Sequence, residues 1–473
     1  MHPAKLGNCH VRIGFLKSAE LLHCLFAEPG CADWESNDNG ILMQTMTASR
    51  DIAGSKQQAS RGAVVAAVIG NALEFYDFTV YAFFAAIIGK AFFPSDSALG
   101  ALLLSVAAFG VGFLARPLGG IVIGRYADRA GRKPAMLLTL ALMAVGMAII
   151  AFAPPYASIG VAAPSLIVLA RLIQGFAWGG EAGPTTSFLV ESAPAGKRAR
   201  YASWQVVSQG LAVLVAGTIG VVASASLSAE SMQAWGWRIP FVLGLAVIPV
   251  ALILRRNMHE TAPSADNAPS FAAATASMQG RYLKCVTLAT LIIIPSTVTV
   301  YVNNYMTSYA LTLLHFPMTM SIAVTMMVGA CMVVAALTGG MLADRFGRKV
   351  VMIVPCALLL VVAYPAFVVL NSWHSLTTLF AVPALLALLT GSHAAAVITI
   401  IPETFPRALR STGLSISYAI AATIFGGSTQ FVVTWLLRVT GNPLSPAFYI
   451  IGACALGLLG MALLRETRDA ALD

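Results

Sequence analysis

Hydrophobic residues dominate the chain from Ala63 onward, in long runs that short polar segments separate. A helix needs about 20 apolar residues to cross a bilayer core of roughly 30 Å. Twelve runs reach that length, six on each side of a polar stretch at 257–284. The pattern predicts an all-α integral membrane protein with twelve transmembrane helices. Their expected centres are near positions 77, 112, 143, 178, 213 and 246 in the first half, and 298, 331, 360, 388, 425 and 455 in the second.

Composition supports the membrane class and argues against others. Of the 473 residues, 58% are hydrophobic and 10% are charged, and the mean hydropathy is +0.80; soluble proteins are far more polar. The net charge of +9 lies in short basic clusters between apolar runs, which argues against a nucleic-acid partner. The seven cysteines form no C-x-x-C pair, so neither a disulfide framework nor a zinc site is indicated.

Basic residues mark one side of the predicted path. The loops after even-numbered spans contain clusters of Lys and Arg, whereas the opposite loops contain almost only Lys90, Arg238 and Arg438. Because cytoplasmic loops carry the excess of basic residues, both termini are predicted to be cytoplasmic.

The polar segments divide the chain into five parts. Residues 1–60 contain no run of span length, so we expect a disordered N-terminal extension; Met43 and Met46 are alternative start sites, and residues 1–42 would then be absent from the native protein. The other parts are an N-terminal six-helix bundle at 61–256, a cytoplasmic linker at 257–284, a C-terminal six-helix bundle at 285–466 and a cytoplasmic tail at 467–473.

Two charged patterns each occur twice, in the same order. Segments Gly124–Lys133 and Gly340–Lys349 share G-x-x-x-D-R-x-G-R-K and begin 216 residues apart. Segments Glu191–Arg198 and Glu403–Arg410 share E-x-x-P-x-x-x-R, 212 residues apart. Two unrelated patterns that recur together indicate two homologous halves.

The first of these patterns resembles the signature loop of the major facilitator superfamily. The resemblance implies two pseudo-symmetric bundles that rock about a central site in alternating access. We therefore assign gating roles at the cytoplasmic helix ends to Gly124, Asp128, Arg129, Gly131, Arg132, Glu191 and Arg198 in the first half, and to Gly340, Asp344, Arg345, Gly347, Arg348, Glu403 and Arg410 in the second.

Further runs between residues 61 and 467 resemble the metabolite:proton symporter family, namely Gly70–Phe78, Phe113–Gly120, Arg171–Glu181 and Trp235–Phe241. The opening of span 1 and the run Ala195–Trp204 look most like citrate and tricarballylate symporters. Relatives that carry shikimate, oxoglutarate or proline/betaine share most of these motifs. The resemblance implies proton-coupled import of a di- or tricarboxylate by a monomer in a bacterial-type inner membrane.

Two carboxyl groups lie inside the predicted first span. If the helix enters from the cytoplasm near Gly62, Glu74 lies about 18 Å along it, close to the bilayer midplane. Asp77 follows about one turn later on the same face. Loss of hydration favours the protonated form of a carboxyl group, which can then carry and release a proton. We assign proton coupling to Glu74 and Asp77; the alternative is a structural carboxylate in an ion pair, for example with Arg116.

Cationic and neutral polar groups on other spans complete the candidate site. An arginine binds a carboxylate through two parallel hydrogen bonds, although the same geometry suits a permanent salt bridge. A polar stripe on span 7 is typical of a cavity wall, and His393 in span 10 either titrates or packs as a hydrogen-bonded histidine. The substrate-binding candidates are Asn71, Arg116, Arg171, Gln174, Gln209, Asn304, Tyr305 and His393.

Other function classes lack their motifs. A membrane enzyme would need a clustered catalytic pattern such as H-E-x-x-H, and an ATP-driven pump would need G-x-x-x-x-G-K-[ST]; the sequence contains neither. We predict no enzymatic activity, no cofactor and no metal site, and the expected partners are a small carboxylate, protons and the lipid bilayer. An uncoupled facilitator and a transport-related sensor stay as alternatives, which the buried carboxyl groups of span 1 disfavour.

Overall fold

The computed structural model describes residues 61–130, 132–179, 186, 189–194, 196–256, 279–405 and 410–468. The predicted N-terminal extension, the alternative start sites, Gly131 and most of the predicted linker lie outside these residues. The described part is almost entirely helical, and each of the twelve predicted centres falls within a helix. The predicted fold class is therefore confirmed.

The helices of the first half are α1 (Arg61–Phe92), α2 (Ala98–Leu114, continued by Arg116–Ala130), α3 (Arg132–Phe152), α4 (Ala162–Trp178), α5 (Arg198–Ser226) and α6 (Ile239–Arg256). Those of the second half are α7 (Gln279–Thr312), α8 (Met318–Phe346), α9 (Arg348–Ser372), α10 (Leu376–Thr404), α11 (Arg410–Ala421, a π-helical turn Ala422–Gly426, and Gly427–Thr440) and α12 (Ser445–Leu463). Helix α7 begins within the segment assigned to the linker. Short helices Tyr156–Ile159 and Ala229–Ala234 lie in the loops.

Length and hydropathy qualify most of these helices as membrane spans. In the described part of the chain, nine helices are long and apolar enough to cross a bilayer, and Leu137–Phe152 and Ala162–Trp178 are shorter apolar helices. Many large apolar side chains are exposed, among them Leu114, Val361 and Leu463. Such a surface would aggregate in water and suits contact with lipid.

Each half has its own core, and a third cluster joins them. One core cluster contains mainly residues of α1–α6 and another mainly residues of α7–α12. The third packs Val206 of α5 against Met332 of α8 and Ile398 of α10. Helices α5 and α8 approach so closely that a β-carbon at Gly329 would lie 2.5 Å from the backbone nitrogen of Leu214. A small residue is required there.

A second seam joins α2 to α11. Pro117 has no N–H group, so it leaves the carbonyl of Phe113 without its helical donor; the hydroxyl of Thr423 donates to that carbonyl at 3.2 Å. Nearby, a β-carbon at Gly110 would lie 2.7 Å from the carbonyl oxygen of Gly427. Thr423 lies in the π-helical turn of α11, and such turns often occur at functional sites.

Candidate functional site

A small cavity lies between the two halves of the molecule. Helices α1, α5, α7, α10 and α11 all contribute to its wall. Its apolar lining includes Phe75, Val206 and Ile398, and its hydrogen-bonding groups are Gln209, Ser296, Thr297, Tyr301 and Tyr418. A mostly apolar cavity with a few convergent polar groups at a domain interface is typical of a small-molecule site.

A buried ion pair lies in the first half. Arg171 Nη1 donates to Asp77 Oδ2 at 3.3 Å, and both side chains are fully buried. The Arg171 guanidinium also lies 3.9 Å from the centre of the Tyr81 ring, and Gln174 lies beside Asp77. Among the described residues, Asp77 Oδ1 and two nitrogens of Arg171, Nε and Nη2, find no hydrogen-bond partner. The pair is therefore incompletely satisfied, and a change of charge on either member would be costly.

The second buried arginine is enclosed by aromatic rings. The Arg116 guanidinium lies 3.6 Å from the ring centre of Phe113 and 3.7 Å from that of Trp178. Tyr301 and Tyr418, from the second half, flank it. In the part of the chain that the structure describes, no carboxylate pairs with it.

The carboxyl groups of α1 have different surroundings. Asp77 pairs with Arg171 of α4, so the alternative of a structural carboxylate in an ion pair stays open for this residue, with Arg171 and not Arg116 as the partner. Glu74 is buried, with 6% of its surface exposed. Within the described ranges it has no ion pair.

The neutral candidates divide between structural and cavity positions. Asn71 donates to Ser208 Oγ at 2.6 Å and to the Gln205 carbonyl at 3.3 Å, and so ties α1 to α5. Gln209 lines the cavity beside Tyr418. Gln174, near Asp77, is buried without a hydrogen-bond partner among the described residues.

The remaining candidates belong to the second half. Tyr305 accepts a hydrogen bond from Thr434 at 3.0 Å, and Asn304 Oδ1 is buried without a partner in the described ranges. His393 donates from Nδ1 to the carbonyl of Met352 at 2.8 Å. It therefore contacts α9, while its neighbour Ala394 lines the cavity.

Four polar wall residues, Ser296, Thr297, Tyr301 and Tyr418, are absent from the sequence-based site. Tyr301 belongs to the polar stripe of span 7. The stripe predicts that one face of the helix lines a cavity, but it does not indicate which of its residues do so. Ser296, Thr297 and Tyr418 are single polar positions in apolar helices, and no sequence spacing distinguishes them from interhelical packing groups.

The two copies of the E-x-x-P-x-x-x-R pattern pair with each other across the seam. Arg410 Nη1 lies 3.1 Å from Glu191 Oε1, and Arg198 Nη1 lies 3.6 Å from Glu403 Oε1. Each ion pair thus joins a residue of the first half to one of the second. The sequence predicts all four side chains at cytoplasmic helix ends, but it does not predict the exchange of partners.

The repeated loop of the second half contributes to the same network. Arg348 donates from Nε and Nη2 to the two carboxylate oxygens of Glu403, at 3.3 and 3.2 Å. Asp344 accepts the backbone N–H groups of Ala199 and Arg200, each at 3.0 Å, and so caps the N-terminus of α5.

The other gating candidates of the repeated loops make local contacts in the second half, and only their backbone is described in the first half. Gly340 packs against Ser203, Gly347 adopts a φ of 98° that favours glycine, and Arg345 is exposed beside Phe346. In the first-half loop, the backbone is helical at Gly124, Asp128, Arg129 and Arg132, but the side chains of the three charged residues lie outside the described part.

The segment after α12 returns to the α8–α9 loop, a contact that no sequence motif predicts. The Glu466 carboxylate accepts the backbone N–H groups of Arg348, Lys349, Thr467 and Arg468 at 2.8–3.1 Å. Partial burial alone would raise the pKa of the Glu466 carboxyl, but the four N–H groups outweigh it and hold the pKa below its ordinary value.

Glu466→Gln is expected to lower the thermal stability of the protein at neutral pH but not in acid. A carboxylate whose pKa falls on folding stabilises the folded state above the unfolded-state pKa, and this contribution disappears as the pH falls through the folded-state pKa. The Tm difference between wild type and variant should therefore be constant near pH 7 and shrink below the ordinary glutamate pKa of 4.5. Thermal unfolding in detergent across this range measures it; an unchanged difference in acid would contradict the assignment.

Comparison with known proteins places this architecture in a family. A model of the family "Sugar (and other) transporter" matches residues 62–263 and 255–473, one segment in each half. The chain belongs to this transporter family. Its predicted assignment to the major facilitator superfamily is confirmed, as is the prediction that it is not an enzyme, because its relatives are transporters.

Individual members of the family extend the comparison. A citrate-proton symporter of Salmonella typhi is 36% identical over 406 residues, which are 85% of this chain and 93% of the relative. A citrate-proton symporter of Klebsiella pneumoniae is 34% identical over 420 residues, 87% of this chain and 93% of the relative. The crystal structure of a D-xylose-proton symporter superposes with a TM-score of 0.71 at 17% identity, covering 87% of this chain and 99% of that one. This structural likeness concerns the fold alone.

Proposed function

We propose that the chain imports a di- or tricarboxylate, with citrate or tricarballylate favoured, together with protons by alternating access. The observation that carries the proposal is the buried Asp77–Arg171 pair in the first half, within a fold that also encloses a cavity between the halves. The citrate-proton symporters among the relatives supply the substrate class and the coupling ion.

The ion pair provides a physical basis for coupling. A proton on Asp77 would remove the negative charge and leave the Arg171 guanidinium free to change partners. The two protonation states therefore favour different arrangements of α1 and α4, and a substrate that binds one arrangement better shifts the equilibrium between them. Glu74, one turn earlier on α1, is the second proposed proton site.

The charge network at the cytoplasmic helix ends is the proposed gate. The pairs Arg410–Glu191 and Arg198–Glu403 join the two halves, so the cytoplasmic side can open only when they separate. Each motif copy thus supplies one glutamate and one arginine to the proposed gate. The membrane helices and bacterial relatives indicate a multi-pass inner-membrane protein; cytoplasmic termini and function as a monomer in the bilayer are part of the proposal.

Uptake by proteoliposomes under an imposed pH gradient tests the proposed function. The panel contains labelled citrate, tricarballylate, oxoglutarate, shikimate and glycine betaine. Citrate or tricarballylate should accumulate, and a protonophore should abolish the accumulation. Uptake that survives loss of both the pH gradient and the membrane potential would indicate a facilitator, preferential uptake of betaine would indicate an osmolyte carrier, and binding without uptake would indicate a sensor.

A further inference from the structure

Three hydrogen-bond donors without an acceptor lie together where α2 meets α4. They are Nε and Nη1 of Arg116 and Nε1 of Trp178, all buried and unpaired among the described residues. None of these atoms can accept a hydrogen bond. An anionic acceptor would stabilise this group of unpaired donors, because the group includes a buried cation and an unpaired buried charge is costly.

The aromatic rings restrict where that acceptor can bind. Phe113 and Trp178 lie within 3.7 Å of the guanidinium carbon of Arg116, and such cation–π contacts stabilise the cation through its flat faces. The edge of the guanidinium stays available, and its N–H groups match the two oxygens of a carboxylate.

The second half of the molecule supplies the other side of the subsite. Tyr301 of α7 and Tyr418 of α11 flank the Arg116 guanidinium, and both also line the cavity. Arg116 itself thus lies directly behind the cavity wall. A carboxylate that enters between the tyrosines can accept hydrogen bonds from their hydroxyl groups and from the arginine.

Arg171 does not offer the same opportunity, because Asp77 already neutralises it. The cavity's other polar groups, Gln209, Ser296 and Thr297, are uncharged. We propose that Arg116, Tyr301 and Tyr418 form a subsite for one ionised carboxylate of the substrate, while neutral groups bind the rest of the molecule. The proposal rests on the proposed function and names the groups that recognise the substrate; since they come from both halves, a bound carboxylate also links the halves.

Equilibrium binding of labelled citrate to purified protein in detergent, without any ion gradient, tests the subsite. Arg116→Gln should raise the Kd at least tenfold, about 1.4 kcal/mol. Arg116→Lys should recover only part of the affinity, because it keeps the charge but loses the planar fork. Tyr301→Phe and Tyr418→Phe should each raise the Kd by roughly three- to tenfold, the effect of one lost hydrogen bond.

Tyr309→Phe is the matched control. Tyr309 is also a buried tyrosine of α7, but its hydroxyl donates to Asn371 and to the Pro443 carbonyl, outside the cavity, so the Kd should stay within about twofold of wild type. If Arg116→Gln fails to fold, the double variant Tyr301→Phe/Tyr418→Phe decides the question. Wild-type affinity in the double variant or in folded Arg116→Gln would overturn the subsite.

The same measurement separates this inference from the proposed function. If wild type binds citrate and the variants bind it equally well, the subsite is wrong and the substrate class stands. If wild type binds glycine betaine and not citrate, the proposed substrate is wrong. Betaine also carries a carboxylate, so weaker binding of betaine by Arg116→Gln would still support the subsite. Unchanged binding of betaine by this variant would overturn the subsite.

Discussion

Asp77→Asn is expected to abolish accumulation of citrate against a gradient in proteoliposomes, while citrate exchange between two loaded compartments continues. The amide keeps the shape of the side chain but cannot take up and release a proton. Net symport needs that proton cycle, whereas exchange needs no net proton movement. Initial rates of pH-driven uptake and of counterflow, measured on the same preparation, give the comparison.

Two further variants control for folding and for the identity of the carrier. Asparagine at position 77 leaves Arg171 as a buried cation without its counter-charge, which can cost several kcal/mol; Asp77→Asn/Arg171→Gln removes both charges and should restore the protein level. Glu74→Gln tests the neighbouring carboxyl group. Normal pH-driven accumulation by both single carboxyl variants and by Asp77→Asn/Glu74→Gln would exclude α1 as the proton site.

Glu403→Gln is expected to cause the largest loss of stability in the charge network that joins the two halves at the helix ends. The Glu403 side chain is 1% exposed and lies between Arg348, at 3.2 Å, and Arg198, at 3.6 Å. Thr467 also donates to it at 2.5 Å. Removal of one partner from a buried ion pair costs about 3–5 kcal/mol, so the Tm should fall by several degrees, and transport should slow because the gate is weakened.

The equivalent residue of the other motif copy is the matched control. Glu191 has the same motif position, but its side chain is half exposed and pairs with Arg410 at 3.1 Å. Exposed ion pairs contribute about 0–1 kcal/mol, so Glu191→Gln should shift the Tm little. Thermal unfolding in detergent compares the two variants; equal shifts would show that burial does not set the strength of the two pairs.

The spans were predictable because a helix that faces lipid must be apolar over a fixed length. Every predicted centre lies in a helix, and the duplicated loops correctly indicated two related halves. The charge patterns also placed Glu191 and Glu403 at helix ends, and the structure brings both into ion pairs between the halves.

Contacts between helices were not predictable in the same way. The spacing of Glu74 and Asp77 defines one face of α1, but it does not say which helix packs there, so the pairing of Asp77 with Arg171 had to come from the structure. The same limit applies to the contact of Tyr418 with Trp178 and to that of Glu466 with the Arg348 backbone, because these partners lie far along the chain. His393 is a similar case: the sequence leaves open whether it titrates or packs, and its hydrogen bond to the Met352 carbonyl had to come from the structure.

Proton movement driven by a citrate gradient tests the central claim of coupled transport most directly. Proteoliposomes loaded with a pH-sensitive dye, with the membrane potential clamped and no initial pH difference, receive external citrate. We expect the lumen to acidify as citrate enters with protons, and Asp77→Asn vesicles to show no acidification. Entry of labelled citrate into wild-type vesicles without any change in internal pH would contradict coupling.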